Sequence, residues 1–378
     1  MLVRVLLITG SLPPMTCGVG EYTLTLAKSL ADRADVDVTV LTSAAAGEAA
    51  AGAPYRVLPI MRAWSRAEFQ LVRDVIRQWK PNVVHIQYPT QGYCGRLSWQ
   101  LPVRLSLLRV PVVQTWHEYF PGTTGFRHTS VALAIAPGDV IVVRPSYTKH
   151  MPRWFRALVA HKRLHYIPNA ATIPRVDLSE GERAAVRERY ARPGKVVLAF
   201  FGFCYENKGL DDLLAILDPA RHHLVVIGDV NMEDPYQRAL VRRIGEPPLA
   251  GSVTMAGFLA SPEAARVLAA ADAVVLPFRD GGGIWNTSIK AAALQGTFVL
   301  TTSTEQEGYD AERNVYFARP GDRTELARAL DLHGGRRNPN PSHDLAGPTW
   351  PEVAERHLAV YRMRIGRGAE VPLHPPKS

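Results

Sequence analysis

Cysteine is scarce in this chain of 378 residues: Cys17, Cys94 and Cys204 stand far apart and are odd in number. No CxxC and no Cys/His ligand spacing occurs, which excludes a disulfide framework or a zinc ribbon and fits a reduced, cytoplasmic setting. Long apolar runs are lacking too. The longest are strand-length, so no transmembrane helix is expected. Residues 2–10, LVRVLLITG, are too short for a signal h-region, carry Arg4 within the run and lack a small-x-small cleavage site; they are expected to form a first β-strand. A metal site is not expected. Asp35-Val36-Asp37 mimics a metal-binding D-x-D but sits at the start of a strand, and His161 and His165 have no third ligand near them. His222-His223 leads into a strand. No pair of carboxylates can be assigned as nucleophile and acid/base. Surplus positive charge is missing from one half: residues 1–170 hold 19 Lys and Arg against 9 Asp and Glu, whereas the remainder holds 25 against 26.

What is present is a repeated alternation. The length predicts two domains, and 47% hydrophobic residues supply two cores. Strands are expected at 3–9, 36–42, 82–87, 110–115 and 140–143, with helices at 20–30 and 66–79 between them. The pattern restarts with strands at 195–201, 223–227, 252–256, 273–276 and 297–301. Buried strands separated by helices indicate doubly wound parallel sheets. The expected α/β layout is an N-terminal Rossmann-like domain over 1–170 and a second over 171–350, joined by the Pro-bearing IPNAATIPRVD. A closing helix follows at 351–366, then a flexible tail at 367–378. Residues 334–348, rich in Gly, Pro and Asn, are expected to form an exposed loop. Ligands of such sheets bind outside the strands' carboxyl ends, so a cleft between the halves is the expected active site.

The segment 277–300, PFRDGGGIWNTSIKAAALQGTFVL, carries the most chemistry. A strand ends at Pro277, a loop Gly281-Gly282-Gly283 follows, and a helix opens at Asn286-Thr287-Ser288. Free N–H groups and the positive dipole end of the helix suit a phosphate, and glycines allow close approach. A capped strand-to-helix turn fits the same residues.

Several motifs in register resemble those of the retaining, nucleotide-sugar-dependent glycosyltransferases of family four. Pro13-Pro14 followed by Cys17-Gly18-Val19-Gly20 resembles their first glycine loop. Residues 82–87 (NVVHIQ) resemble the DVVHxH strand, and Thr115-Trp116-His117-Glu118 the T-x-H-[DE] strand end. Residues 142–148 (VVRPSYT), Ile167-Pro168-Asn169, Phe201-Gly202 with Lys208-Gly209, Pro320-Gly321-Asp322 and a closing helix complete the series. The resemblance implies a GT-B fold: two Rossmann-like domains facing a cleft, with a C-terminal helix crossing back.

It also implies roles. Gly18, Gly20, Gly202, Lys208 and Gly283 would bind the donor, with Lys208 on the diphosphate; Asn286, Thr287 and Ser288, as a helix N-terminus, and Arg279, as a cation, are further donor-binding candidates by their own chemistry. His117 would touch the donor sugar near the reacting carbon, and Glu118 would bind an acceptor hydroxyl or act as a base. Each has a plainer alternative: a surface lysine, a solvated loop arginine, a hydrogen-bonded strand-end histidine. The family's two glutamates, separated by seven residues, would fall on Gly283 and Ala291, and the arginine beside the loop glycine on Phe203. All three are absent, so the chain resembles a divergent branch. Retention by front-face substitution, without metal or other cofactor, is what the family implies.

The basic residues cluster at Arg62, Arg66, Arg73, Arg77 and Lys80, and at Arg144, Lys149, Arg153, Arg156, Lys162 and Arg163, the latter interleaved with Met151, Trp154, Phe155 and Leu158. A lipid-linked acceptor and peripheral contact with the inner membrane face fit such a surface, as does a plain solvated face. The acceptor class stays open among sugar, lipid-linked and small-molecule hydroxyls. Nucleic acid is not an expected partner. Two functions remain: transfer of a sugar from a nucleotide donor to an acceptor hydroxyl in glycan, glycolipid or glycoside synthesis, or a regulatory protein that binds sugar nucleotides with little catalysis.

Overall fold

VRVLLI leaves almost nothing polar for water to solvate, and in the computed structural model of the chain it is β1 (Val3–Ile8), an inner strand bonded on both sides. The structure describes residues 2–15, 17–46, 53–118, 127–145 and 147–369. They divide into two units, Met1–Asn169 with Pro348–Ser378, and Ala170–Gly347.

In unit 1, β1 is followed by α1 (Gly18–Ala31), β2 (Val36–Ser43), β3 (Arg56–Met61), α2 (Phe69–Trp79), β4 (Val83–Tyr88), α3 (Leu97–Ser106), β5 (Val112–Trp116), α4 (Arg127–Ile135), β6 (Asp139–Val142), α5 (Arg153–Val159) and β7 (Leu164–Tyr166). The strands pair in parallel in the order β3-β2-β1-β4-β5-β6-β7. α2 begins at Phe69 rather than at 66. The Glu68 carboxylate accepts N–H groups of Arg62 and Ser65, both at 2.8 Å, and so holds the preceding residues in a turn.

Unit 2 runs α6 (Glu180–Tyr190), β8 (Val196–Phe201), α7 (Leu210–Ile216), β9 (His222–Ile227), α8 (Pro235–Gly245), β10 (Val253–Gly257), α9 (Ser261–Ala270), β11 (Ala273–Leu276), α10 (Thr287–Leu294), β12 (Phe298–Thr302), β13 (Gly308–Asp310), β14 (Val315–Ala318), α11 (Arg323–His333) and α12 (His343–Ala346). Its sheet order is β10-β9-β8-β11-β12-β14-β13, parallel except for the last pair. Local signals start the helices. Ser179 and Glu182 form a capping box, and Asp234 and Asp322 each accept a first-turn N–H, at 3.0 and 2.9 Å. His222 and His223 lie within β9 and are buried there.

Residues 334–348, expected to be an exposed loop, are largely exposed or half-buried, but they include the short α12 and are anchored at several points. The Arg337 guanidinium donates to Ala271 O at 2.6 Å, Asn338 N–H donates to Gly296 O at 2.8 Å, and Leu345 is fully buried. Polar composition hid the anchoring because the anchoring groups are themselves polar. From Pro348 the chain belongs to unit 1 again and forms α13 (Trp350–Ala369). It starts earlier than the expected helix, since Thr349 and Glu352 bond each other's main chain, at 2.7 and 3.4 Å. The expected tail lies outside the described residues, apart from the helical main chain of 367–369.

Candidate functional sites in the two units

A parallel sheet whose strand order reverses leaves room for a ligand outside the strand ends at the reversal. In unit 2 the reversal lies between β8 and β11, which are direct neighbours. The two loops singled out by sequence leave these two strands. Gly202, just past β8, has φ 133°, and a Cβ built on it would meet nothing within 4 Å. Backbone there is open to close approach. A 3₁₀ turn, Glu206–Lys208, then ends at Gly209 with φ 69°. A Cβ on Gly209 would stand 2.0 Å from the Pro277 carbonyl oxygen, so glycine is what lets the two loops touch. Arg279 N–H closes the contact on Asn207 O at 3.0 Å. Lys208 Nζ sits 4.9 Å from the Phe278 ring centroid, a cation–π distance that brings its ammonium beside the second loop.

Two expected donor residues serve the loop itself. Arg279 donates to Glu206 Oε1 at 2.5 Å and to Asp211 Oδ2 at 2.6 Å, and Asp211 also accepts from the Tyr236 hydroxyl at 2.7 Å. Two carboxylates on one guanidinium leave no surplus positive charge, so Arg279 is neither a spare cation nor a merely solvated one. Asn286 precedes α10 but makes no side-chain bond to its first turn. Its Oδ1 accepts from Gly283 N–H at 3.0 Å and its own N–H donates to Gly283 O at 2.8 Å. Asn286 thus closes the glycine loop and leaves the helix start at Thr287 and Ser288 without a side-chain cap. Gly283 answers to packing: a Cβ there would lie 2.1 Å from the Trp285 ring. Ala291, at the second position of the missing acids, is 2% exposed in the core.

Unit 1 has the same reversal, between β1 and β4, and there it is closed by the chain's own groups. A Cβ on Gly92 would be 1.8 Å from Gly10 O. Gly92 N–H donates to Ser11 Oγ at 2.7 Å, Ser43 Oγ donates to Gly10 O at 2.5 Å, and Trp64 Nε1 donates to Ser43 Oγ at 2.7 Å. Gly18 opens α1, and Gly20 packs so near the first loop that a Cβ would lie 3.0 Å from Ser11 O.

His117 follows β5, one strand further on. It is 8% exposed, its Nε2 lies 2.8 Å from Gln87 Oε1, and the Tyr22 ring meets it edge-on at 4.8 Å. Burial, with the His357 ring and the Arg144 guanidinium nearby, brings its pKa down to about 3, so the ring is neutral at physiological pH. Two further buried imidazoles surround it. Burial takes His357 down to about 4, and burial plus the neighbouring rings holds His85 well below its usual value. Tyr22 OH bonds His357 Nε2 at 3.2 Å, and Tyr361 OH bonds His85 Nδ1 at 2.6 Å, which ties α1 and β4 to α13. Sequence analysis gave Tyr22, His357 and Tyr361 no role and missed this network. The available signal was His85-x-Gln87 facing Thr115-x-His117 on adjacent strands. Glu118 is exposed and paired with Arg144, and the Tyr147 hydroxyl donates to its carbonyl at 2.5 Å.

The other signals settle as structure. Asp35 pairs with Arg33 and Arg362, and His165 bonds Asp139 at 3.2 Å. In the second basic cluster Phe155 and Met151 are core and the Lys162 ammonium donates to Ala136 O; Trp154, at 38%, is the exposed aromatic of α5. No helix among the described residues is long and apolar enough to cross a membrane.

Residues 16–173 match the family described as Glycosyltransferase Family 4, and residues 195–332 match Glycosyl transferases group 1. No curated protein matches the chain by sequence. Among solved structures, Anabaena Alr3699/HepE in complex with UDP and glucose aligns at TM-score 0.69 and 16% identity, covering 98% of this chain and 100% of that one. A second structure of HepE holds UDP-glucose. The sucrose-phosphate synthase of Thermosynechococcus elongatus aligns at 0.68 and 17%, covering 98% of each chain. WaaG, a glycosyltransferase involved in lipopolysaccharide biosynthesis, aligns at 0.61 and 15%, covering 98% and 100%. These likenesses show the fold: two Rossmann-like parallel-sheet domains of the GT-B kind.

Proposed function

Since the chain joins a Glycosyltransferase Family 4 domain to a Glycosyl transferases group 1 domain, we propose that it transfers a sugar from a nucleotide-sugar donor to an acceptor hydroxyl with retention of anomeric configuration. The observation that carries the reading is the contact at the β8/β11 reversal between the loop that holds Gly202 and Lys208 and the loop that leads into the uncapped start of α10. Backbone N–H groups, the dipole of α10, the Ser288 and Thr287 hydroxyls and one ammonium are what a departing diphosphate needs. These groups hold the charge without a metal ion. His117, neutral and nearly buried, is assigned to the reacting sugar, and Glu118 to the acceptor. Complexes of HepE with UDP-glucose support a uridine donor. The exposed Arg153, Trp154 and Arg156 of α5 support a lipid-borne acceptor reached at an anionic membrane surface, as does the likeness to WaaG.

The test is a thermal-shift screen of UDP, GDP, ADP and dTDP, followed by turnover of the matching nucleotide sugar with and without EDTA. One nucleotide should raise Tm as RT ln(1 + [L]/Kd) predicts, EDTA should leave turnover unchanged, and proton NMR of the product should show the donor's anomeric configuration. A second reading, a sugar-nucleotide sensor with little catalysis, draws on the missing acids and on Arg279 being held by Glu206 and Asp211. Nucleotide binding without release of any sugar would favour it.

A further inference from the structure

We propose that Gln87 is the positioning residue of His117: it fixes the imidazole as its Nε2–H tautomer and leaves Nδ1 to accept a hydrogen bond from a substrate hydroxyl. The inference rests on the assignment of His117 to the substrate. β4 and β5 pair with Gln87 opposite Thr115 and Tyr88 opposite Trp116. Side chains alternate along a strand, so His85, Gln87, Thr115 and His117 share one face. His117 N–H continues the ladder by donating to Tyr88 O at 2.9 Å, which fixes its Cα.

The ring is then oriented by one bond, His117 Nε2 to Gln87 Oε1 at 2.8 Å. A carboxamide oxygen only accepts, so Nε2 must carry the proton. Gln87 is itself held. Its amide nitrogen lies 3.4 and 3.5 Å from the two nitrogens of His85, and His85 is anchored between Thr115 Oγ1 at 2.7 Å and Tyr361 OH at 2.6 Å. The remaining neighbours are fixed in the same way. His357 Nδ1–H donates to Val353 O at 2.8 Å, which leaves Nε2 to accept from the Tyr22 hydroxyl. Among the described residues Nδ1 of His117 has no hydrogen-bond partner, and it is not one of the unpaired polar atoms sealed from solvent.

The strand motif that residues 82–87 resemble has histidine where Gln87 stands. A histidine there exchanges tautomers and titrates; a carboxamide does neither. This chain therefore locks the ring with a group insensitive to pH, inside a surround whose titratable members are His85, His357, Tyr22, Tyr361 and Arg144.

The experiment is long-range ¹H–¹⁵N correlation of the histidine rings in the full ¹⁵N-labelled chain, with His117 assigned from the signals lost in His117→Asn. The wild type should show one Nε2–H tautomer at neutral pH. Gln87→Leu should populate the other tautomer and lower kcat about tenfold while KM stays within about twofold. Gln87→Glu keeps an accepting oxygen and so keeps the tautomer, but its charge raises the pKa of His117 and gives kcat a pH dependence that the wild type lacks. An Nδ1–H tautomer in the wild type, or His117 signals unmoved in Gln87→Leu, overturns the proposal. If the tautomer is as stated and His117→Asn turns over like the wild type, the positioning geometry stands and the assignment of His117 to the substrate falls.

Discussion

The two units share the order of five strands, β3-β2-β1-β4-β5 and β10-β9-β8-β11-β12, and treat the reversal point within it differently. In unit 1 the gap between β1 and β4 is closed: Gly10 and Gly92 meet backbone to backbone, with Ser11, Ser43 and Trp64 hydrogen-bonded around them. In unit 2 the loops after β8 and β11 also touch, at Gly209 and Pro277, but Gly202 stays open and α10 uncapped. The contrast leaves unit 2 as the unit with an open glycine and an uncapped helix start at its reversal point. It also shows where unit 1 places its polar groups instead, in the buried network of β4, β5, α1 and α13.

The comparison is broken most severely at Gly92. Gly92→Ala drives a methyl against a backbone carbonyl oxygen that cannot move aside, and should destabilise the protein by about 3 kcal/mol or more. Gly202→Ala meets no neighbour and should cost about 1–2 kcal/mol, from its φ alone. Denaturant midpoints measure both. Equal losses at the two glycines would show that the open and closed reversals do not differ.

Acid should act next, through unit 1. His117, His357 and His85 are held neutral in the fold with pKa values of about 3, about 4 and well below 6.5. Unfolded, they titrate near 6.5. Between those values the unfolded chain binds more protons, so stability present above pH 6.5 is lost as pH falls toward the folded values. Acidification from pH 7 to 4.5 should cost about 2 kcal/mol or more, read as a falling Tm. His357→Gln should make that fall shallower; the same slope in wild type and variant would place the proton uptake elsewhere.

Arg279→Leu tests the smallest claim. The ion pairs to Glu206 and Asp211 are partly exposed, so stability should drop by less than about 1 kcal/mol. Nucleotide affinity should fall only mildly, through a looser loop. A loss of a hundredfold or more would return Arg279 to the diphosphate.

Much of this was legible in the sequence. The period of buried strands marked out most of both sheets, and the glycine loops after residues 201 and 276 pointed to the candidate site proposed in unit 2. Strands β3, β7, β13 and β14 were not legible: they are short or at sheet edges, and β3 carries Pro59. The fate of Arg279 and Asn286 was hidden because their partners, Asp211 and Gly283, are chosen by tertiary placement and by loop closure. The unit 1 network was hidden for a different reason. Tyr22, His357 and Tyr361 fall on helix faces that read as apolar, and their hydroxyls and ring nitrogens become matched only when α1 and α13 pack on β4 and β5.

The central claim is that Lys208 and the start of α10 hold the donor's diphosphate. It is tested most directly by calorimetric titration of the nucleoside diphosphate that raises Tm most, into wild type, Lys208→Ala and Ser288→Ala. The account predicts that Lys208→Ala weakens binding about 10- to 100-fold and Ser288→Ala less, with folding unchanged. Wild-type affinity in both variants would contradict it.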